Sequence, residues 1–371
     1  MRIFISAGEA SGDLYASLVV EAMPEAKFFG CAGPRMQAAG VRAVVDSRSI
    51  AVVGLVEVIR HIPRIYGEFR KLKKAIAAEK PDVAVLTDAP DFNLRLAKFL
   101  RRERVPVVYL IAPQAWAWRR GRVKILRATV NRLLCIFPFE EEFFTRYGVP
   151  ATYIGHPLAR IVKASLTREE FCAKYGIPDG KKIIVLLPGS RRGEIERHLD
   201  DLVDAKKRLE GRDLVFLLAL PGGFGTTFSE RIRGASIQVL EDATWEALAH
   251  AEIALAASGT VTIEAALLGC PLVTFYKVNA LSWMLGRWLV RVPFLSMVNL
   301  VAGRKVAPEL IQGEMTGERI AAEAIRLLDD ETATGAMRAA LKEVAAKLAS
   351  AGDPMEMASH WIERVGREGW E

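Results

Sequence analysis

Apolar residues in this chain come in short runs at regular intervals, each ending in a glycine- or proline-bearing turn and followed by apolar positions three or four apart. Arg2–Ile5 is the first such run. It closes on Ser6-Ala7-Gly8-Glu9-Ala10-Ser11-Gly12-Asp13, after which Leu14, Leu18, Val19 and Ala22 recur at helical spacing. Asp82–Thr87, Val107–Ile111, Arg132–Phe137 and Ala151–Ile154 read as further strands, with a short helix over Glu140–Tyr147. Gly155-His156-Pro157-Leu158 breaks the pattern, and the alternation then restarts with Ile183–Leu187, Leu214–Leu220, Ile237–Leu240, Ile253–Ala256 and Leu272–Phe275. Leu295–Gln312 reads as a loop and short helix, and Thr316–Trp370 as helices rich in Ala, Leu and Lys. Two successive β/α series predict an α/β protein of two Rossmann-like domains facing one cleft. The expected division is 1–165, 166–340 and a helical tail, 341–371, that packs back on the first domain or exchanges with a second subunit.

Two stretches depart from this rhythm. Between Ser49 and Lys74 the residues Val52, Val53, Leu55, Val56, Val58, Ile59, Ile62, Ile65 and Tyr66 make a wide apolar surface accompanied by Arg60, Arg64, Arg70, Lys71, Lys73 and Lys74. A basic amphipathic segment can lie in a membrane interface, and the same stripe also suits a protein core. Pro63 predicts a break in its helix. Ala280–Val292 is also apolar and carries Trp283 and Trp288, but Arg287, Arg291 and Pro293 exclude a spanning helix.

With 371 residues, 51% of them hydrophobic, the chain can fill two ordinary cores. Its formal net charge of +7 favours anionic partners without choosing among them. Cys31, Cys135, Cys172 and Cys270 lack C-x-x-C spacing, and the five histidines are dispersed, so no metal cluster is legible. The very short apolar run at the N-terminus does not have the form of a secretory signal.

The candidate chemistry lies in the turns. Leu186-Leu187-Pro188-Gly189-Ser190-Arg191-Arg192-Gly193-Glu194 reads as strand, sharp turn and helix start. Helix-start N–H groups, the Ser190 hydroxyl and a guanidinium from Arg191 or Arg192 can hold phosphate oxygens, although an ordinary βα turn uses the same letters. Ala257-Ser258-Gly259-Thr260-Val261-Thr262-Ile263-Glu264 repeats the form. Ser258, Gly259 and Thr260 can serve a pyrophosphate and Glu264 a ribose, or Thr260 and Glu264 can simply cap and complement the helix. In the first turn Glu9 and Asp13 suit sugar hydroxyls, with Asp13 also a candidate cap for its own helix. Asp88 and Asp91, just past a buried-looking strand, include a candidate general base and a candidate cap. Trp116 and Trp118, beside Arg119 and Arg120, can stack on a ligand or fill a core. His156 reads as an inter-domain hydrogen-bonding residue rather than a catalyst.

Taken in order, Gly8–Asp13, Asp88-Ala89-Pro90-Asp91-Phe92-Asn93, Pro113–Trp118, Gly155-His156-Pro157, Leu187–Arg191, Ser258-Gly259-Thr260 and Asn299–Gln312 closely resemble the lipid-A-disaccharide synthase family over nearly the whole chain. The resemblance implies a glycosyltransferase B fold. It also implies inverting transfer of 2,3-diacylglucosamine from UDP to the 6-hydroxyl of 2,3-diacylglucosamine 1-phosphate (lipid X) at the cytoplasmic face of the inner membrane, with no obligatory metal and no nucleic-acid partner. Carried over by position, it makes Asp88 the general base and puts Arg191 near the diphosphate, with Glu9 and Ser11 near a sugar. Ser190, Ser258, Gly259 and Thr260 would serve the donor, Glu264 the ribose, Asn299 the donor pocket, and Gln312 would bind substrate. The acyl chains of these substrates would give Leu55, Val56, Ile59 and Ile62 a membrane or acyl contact; separately, exchange of the C-terminal helices would make a homodimer. Arg160, where the family commonly has an acid, and the glycine-rich Pro221–Gly225 depart from the pattern. Another UDP-N-acetylglucosamine transferase or epimerase of this fold, and a non-catalytic nucleotide-binding membrane scaffold, are the competing readings.

Overall fold

A computed structural model describes residues 1–50, 55–279, 283, 284, 292–349 and 352–370, with residues 55–62 described by backbone alone. The chain divides into two compact units, Met1–Pro157 with Ser350–Glu371, and Leu158–Ala349. The first passage between them therefore falls at Pro157 rather than near 163–167. The second falls after the helix Glu331–Leu348, which buries Met337, Leu341 and Val344 against its own unit instead of joining the tail.

Among its described residues the first unit holds seven strands, β1 Arg2–Ser6, β2 Lys27–Ala32, β3 Arg42–Asp46, β4 Val83–Thr87, β5 Val107–Leu110, β6 Arg132–Cys135 and β7 Ala151–Tyr153. They lie in the order β3-β2-β1-β4-β5-β6-β7, with every pairing parallel. The second unit repeats the plan with β8 Lys182–Leu187, β9 Leu214–Leu220, β10 Ile237–Glu241, β11 Ile253–Ala257, β12 Leu272–Tyr276 and β13 Glu309–Ile311, ordered β10-β9-β8-β11-β12-β13, again all parallel. Central strands are buried on both faces, as in β4, where Val83, Ala84, Val85 and Leu86 have no exposed surface. In such sheets the chain reverses its direction of progress at one point, and the crevice there takes ligands. The switch points fall between β1 and β4 and between β8 and β11. They bring the turns after Ser6 and Thr87 together, and likewise the turns after Leu187 and Ala257.

The helix Leu55–Glu79 runs on through Pro63, so the expected break is absent. Proline removes one N–H and crowds one carbonyl, but the turns that follow are anchored by fully buried Leu72 and Ile76. Val52 and Val53, the side chains of Leu55, Val56, Val58, Ile59 and Ile62, and most of 280–291 lie outside the described residues. Tyr66 is 62% exposed and Met284 55%. No described helix is long and apolar enough to cross a membrane.

The last helix, Pro354–Glu368, packs on β4, β5 and β6 of the first unit. Ala358 and Ile362 are fully buried, and the Arg132 guanidinium lies 3.8 Å from the centre of the Trp361 ring. Replacing Ile362 by Ala removes core volume from that contact and is expected to cost about 2–4 kcal/mol, read as an earlier urea midpoint. A change below about 0.5 kcal/mol would contradict a core role for this helix.

Candidate functional site

In the first unit the site is built from backbone outward. Asp88 follows β4 with φ +49 and Ala89 follows with φ +34, two successive side-chain-bearing residues in the left-handed region. Such strain persists only where surroundings enforce it. Here the Asp88 carbonyl accepts the Tyr109 hydroxyl at 2.8 Å and the Asn93 amide at 3.2 Å, while Asn93, fully buried, also receives the Ser6 hydroxyl at 2.8 Å. The carboxylate turns back onto the first turn: Gly8 N–H donates to Oδ1 at 2.7 Å and Glu9 N–H to Oδ2 at 3.0 Å. A Cβ at Gly12 would stand 1.7 Å from Asp88 Oδ2, and one at Gly8 2.5 Å from the Ala89 Cβ. Only glycine fits at either place.

Burial raises the Asp88 carboxyl, two backbone N–H bonds lower it, and the nearby charges of Glu9 and Asp13 raise it again, leaving it pushed up to about 8. Asp91 behaves oppositely. Although burial works to raise it, the Arg122 hydrogen bond and charge, followed by Arg119, hold it below the usual carboxylate range, through contacts of 3.0 and 2.8 Å. It sits in the first turn of the helix Pro90–Arg102 as an ion-paired residue, not as its cap. Of the two carboxylates, Asp88 is the one suited to proton transfer near neutral pH.

Glu9 and Ser11 are exposed at the start of the helix Ala10–Glu21. Asp13 corrects the expectation that it serves a sugar or caps its own helix. It is buried, and its carboxylate accepts Arg35 N–H at 2.9 Å and Met36 N–H at 3.1 Å, so it caps the following helix, Pro34–Ala38. Trp116 is a core residue whose Nε1 donates to buried Glu140 at 2.9 Å, whereas the Trp118 ring is covered by Arg119 and Arg122 at 4.5 and 5.0 Å. His156, buried between Tyr15 and Phe137, is pushed down to about 3 by desolvation and stays neutral.

In the second unit Gly189, φ +131, makes the turn before the helix Arg192–Arg208. Ser190 and Arg191 are exposed, but their N–H groups donate to Glu194 Oε2 at 3.2 and 3.4 Å, and the Arg191 guanidinium lies 3.6 Å from Glu194 Oε1. What this turn offers a phosphate is therefore the Ser190 hydroxyl and the Arg191 guanidinium rather than those two N–H groups. Ser258 departs from its expected role more fully. Its N–H donates to the Phe275 carbonyl at 2.8 Å and its hydroxyl to the Leu295 carbonyl at 2.9 Å, leaving no hydrogen to donate to a pyrophosphate. Gly259 and Thr260 remain at the start of the helix Val261–Leu267, and Thr260 makes no side-chain cap. Glu264 is half-buried and desolvation lifts it to about 7, partly offset by Trp245.

Asn299 is fully buried, with all four hydrogen-bonding positions spent: its amide donates to the Ala307 carbonyl at 2.9 Å and Glu309 at 2.8 Å, and its oxygen accepts Val306 and Ala307 N–H at 2.7 and 2.9 Å. It ties its own loop together instead of contacting a ligand by hydrogen bonds. Gln312, φ +54, accepts Val278 N–H at 2.9 Å. The glycine-rich 221–225 turn gives its Gly222 N–H to Asp242 at 2.9 Å, so a protein carboxylate already fills it. Sequence reading missed Glu194, Glu309 and His198. The i, i+4 spacing of Glu194 and His198 just after a strand end is the one signal that marked any of them.

A family model described as lipid-A-disaccharide synthetase matches residues 3–355. The lipid-A-disaccharide synthase of Solibacter usitatus is 59% identical over 355 residues, 94% of this chain and 93% of that protein. That of Geobacter metallireducens is 43% identical over 376 residues, covering 99% and 98%. Among solved structures, a UDP-GlcNAc 2-epimerase of Neisseria meningitidis bound to UDP-GlcNAc superposes with TM-score 0.65 at 11% identity, covering 100% of both chains. A glycosyltransferase of Rickettsia africae does so with TM-score 0.61 at 12% identity, covering 98% of each. At these identities the structures speak for the glycosyltransferase B fold alone, whereas the family model and the full-length relatives speak for the sequence itself, and by them the chain belongs to the lipid-A-disaccharide synthase family of glycosyltransferases.

Proposed function

We propose that the chain transfers 2,3-diacylglucosamine from UDP to the 6-hydroxyl of 2,3-diacylglucosamine 1-phosphate, giving the β-1,6-linked disaccharide 1-phosphate and UDP. The observation that carries this reading is the Asp88 carboxylate, held by a strained backbone against Gly8 and Gly12 and desolvated enough to accept a proton near neutral pH. Asp88 takes the proton of the acceptor hydroxyl as its oxygen bonds to the anomeric carbon. The bond from that carbon to the β-phosphate oxygen breaks on the opposite face, and its electron pair leaves with UDP. Arg191 and Ser190 receive the charge that builds on the diphosphate, and Glu264, when ionised, accepts the ribose hydroxyls. Two guanidinium-to-oxygen bonds supply the stabilisation that a divalent ion provides elsewhere, so the proposed reaction has no obligatory metal.

The acyl chains of both substrates call for an apolar contact at the cytoplasmic face of the inner membrane. The segment beginning at Leu55 is the proposed contact, supported by the exposed Tyr66 ring and the basic residues around it.

Asp88→Asn is expected to cut turnover by about 10²–10⁴-fold while calorimetric affinity for UDP stays within about twofold; near-normal turnover removes Asp88 as base. Because the carboxyl titrates at about 8 and acts ionised, wild-type kcat/KM should climb with pH through that value and level above it. A profile already flat at pH 6 contradicts the assignment. Arg191→Ala should weaken UDP binding about 10–100-fold, the worth of a charged hydrogen bond, and EDTA should leave the wild-type rate unchanged. Polar replacements at Leu55, Val56, Ile59 and Ile62 should reduce binding to anionic liposomes without lowering the unfolding temperature. Unchanged association makes that surface structural.

A further inference from the structure

The helix Arg192–Arg208 carries a polar stripe, Glu194, His198 and Asp201, spaced to share one face. His198 is fully buried beside Phe275 and Tyr276, where an imidazole is an expensive choice unless its nitrogens are used. Both are. Nδ1 lies 2.6 Å from the Pro188 carbonyl oxygen, and Nε2 meets the Lys277 backbone, 3.1 Å from both its N–H and its carbonyl oxygen. A carbonyl only accepts, so at the shorter of these contacts Nδ1 carries a proton and donates it to Pro188. Desolvation, the largest influence on this ring, lowers its pKa, and the hydrogen bonds to Pro188 and Lys277 work in the opposite direction.

One ring thus joins the ends of β8 and β12, two strands separated in the sheet by β11. Pro188 opens the turn that ends at Arg191. One helical turn back, Glu194 fastens the other side of that turn through Ser190 and Arg191 N–H, and it packs where a Cβ on Gly189 would stand 2.7 Å from its own Cβ. Lys277, the far anchor, is itself pinned by Asp201 at 3.0 Å. The turn is therefore fixed at both ends by side chains of the helix that it introduces.

We propose that His198 is a positioning residue for the transfer reaction: its Nδ1–H bond to the Pro188 carbonyl sets the turn that presents Ser190 and Arg191 to the diphosphate of the donor. The proposal rests on the reading of this turn as the diphosphate site. A histidine that merely fills the core would affect stability alone.

Asparagine and glutamine separate the two roles. The Asn amide nitrogen falls near the place of Nδ1 and can donate to Pro188, whereas the Gln amide reaches towards Lys277. Thermal unfolding, calorimetric UDP affinity and donor kinetics would be measured for His198→Asn, His198→Gln, His198→Ala and Arg191→Ala. The expected result is UDP affinity within about threefold of wild type for Asn and a loss of about tenfold or more for Gln and Ala, with donor KM raised more than kcat is lowered. Equal UDP affinity for the Asn and Gln variants, or wild-type affinity in a folded Ala variant, overturns the inference. If Arg191→Ala loses UDP while every His198 variant keeps it, the diphosphate reading stands and only the role of His198 falls. If Arg191→Ala binds UDP as wild type does, the diphosphate reading falls and the inference with it.

Discussion

A carboxylate pressed against a turn that has no side chains to keep it away governs the first unit. Gly8 and Gly12 leave room for Asp88, and Gly8 and Glu9 N–H hold its two oxygens. Bringing it there requires β1 and β4 to be neighbours and requires two residues in the left-handed region after β4. Asn93 and Tyr109 secure the backbone from behind. The basicity of Asp88 follows from that arrangement, since withdrawal from water outweighs the two N–H bonds it gains.

The second unit meets a related problem with the same materials. Gly189 makes space for Glu194, Gly222 for Asp242, and in each case a protein carboxylate takes turn N–H groups that would otherwise attract an anion. Glycine-rich strand-to-helix turns are thus of two kinds in this molecule. Some fasten the fold internally, and others leave charged or hydroxyl side chains exposed beyond the carboxyl end of a strand. Ser190 and Arg191 belong to the second kind by their side chains even though their N–H groups belong to the first.

Much of the framework was legible because buried parallel strands are continuous apolar runs. Ten of the thirteen strands among the described residues could be read that way. The three missed have physical reasons: β2 contains Gly30, β3 is an edge strand with exposed Arg42 and Ala43, and β13 has three residues. The site was legible where position in the strand mattered, as for Asp88. It was illegible where the decisive partner is set by how the chain folds back rather than by its nearest neighbours in sequence. Nothing local to Asp13 announces the N–H groups of Arg35 and Met36, and the letters of the loop after Asn299 do not show that it folds back so that Ala307 and Glu309 consume its amide. Pro63 carries a local cost that its own letters show, whereas the anchors at Leu72 and Ile76 become visible only when the helix is seen packed.

The chemistry proposed for the first unit depends on the state of one carboxyl group. Carbon-13 labelling of aspartate carboxyls, with the Asp88 signal identified by its loss in Asp88→Asn, allows direct titration in the folded protein. The structure predicts a midpoint at about 8. A midpoint near 4, the ordinary value for an aspartate, would show a solvated carboxylate and contradict the account.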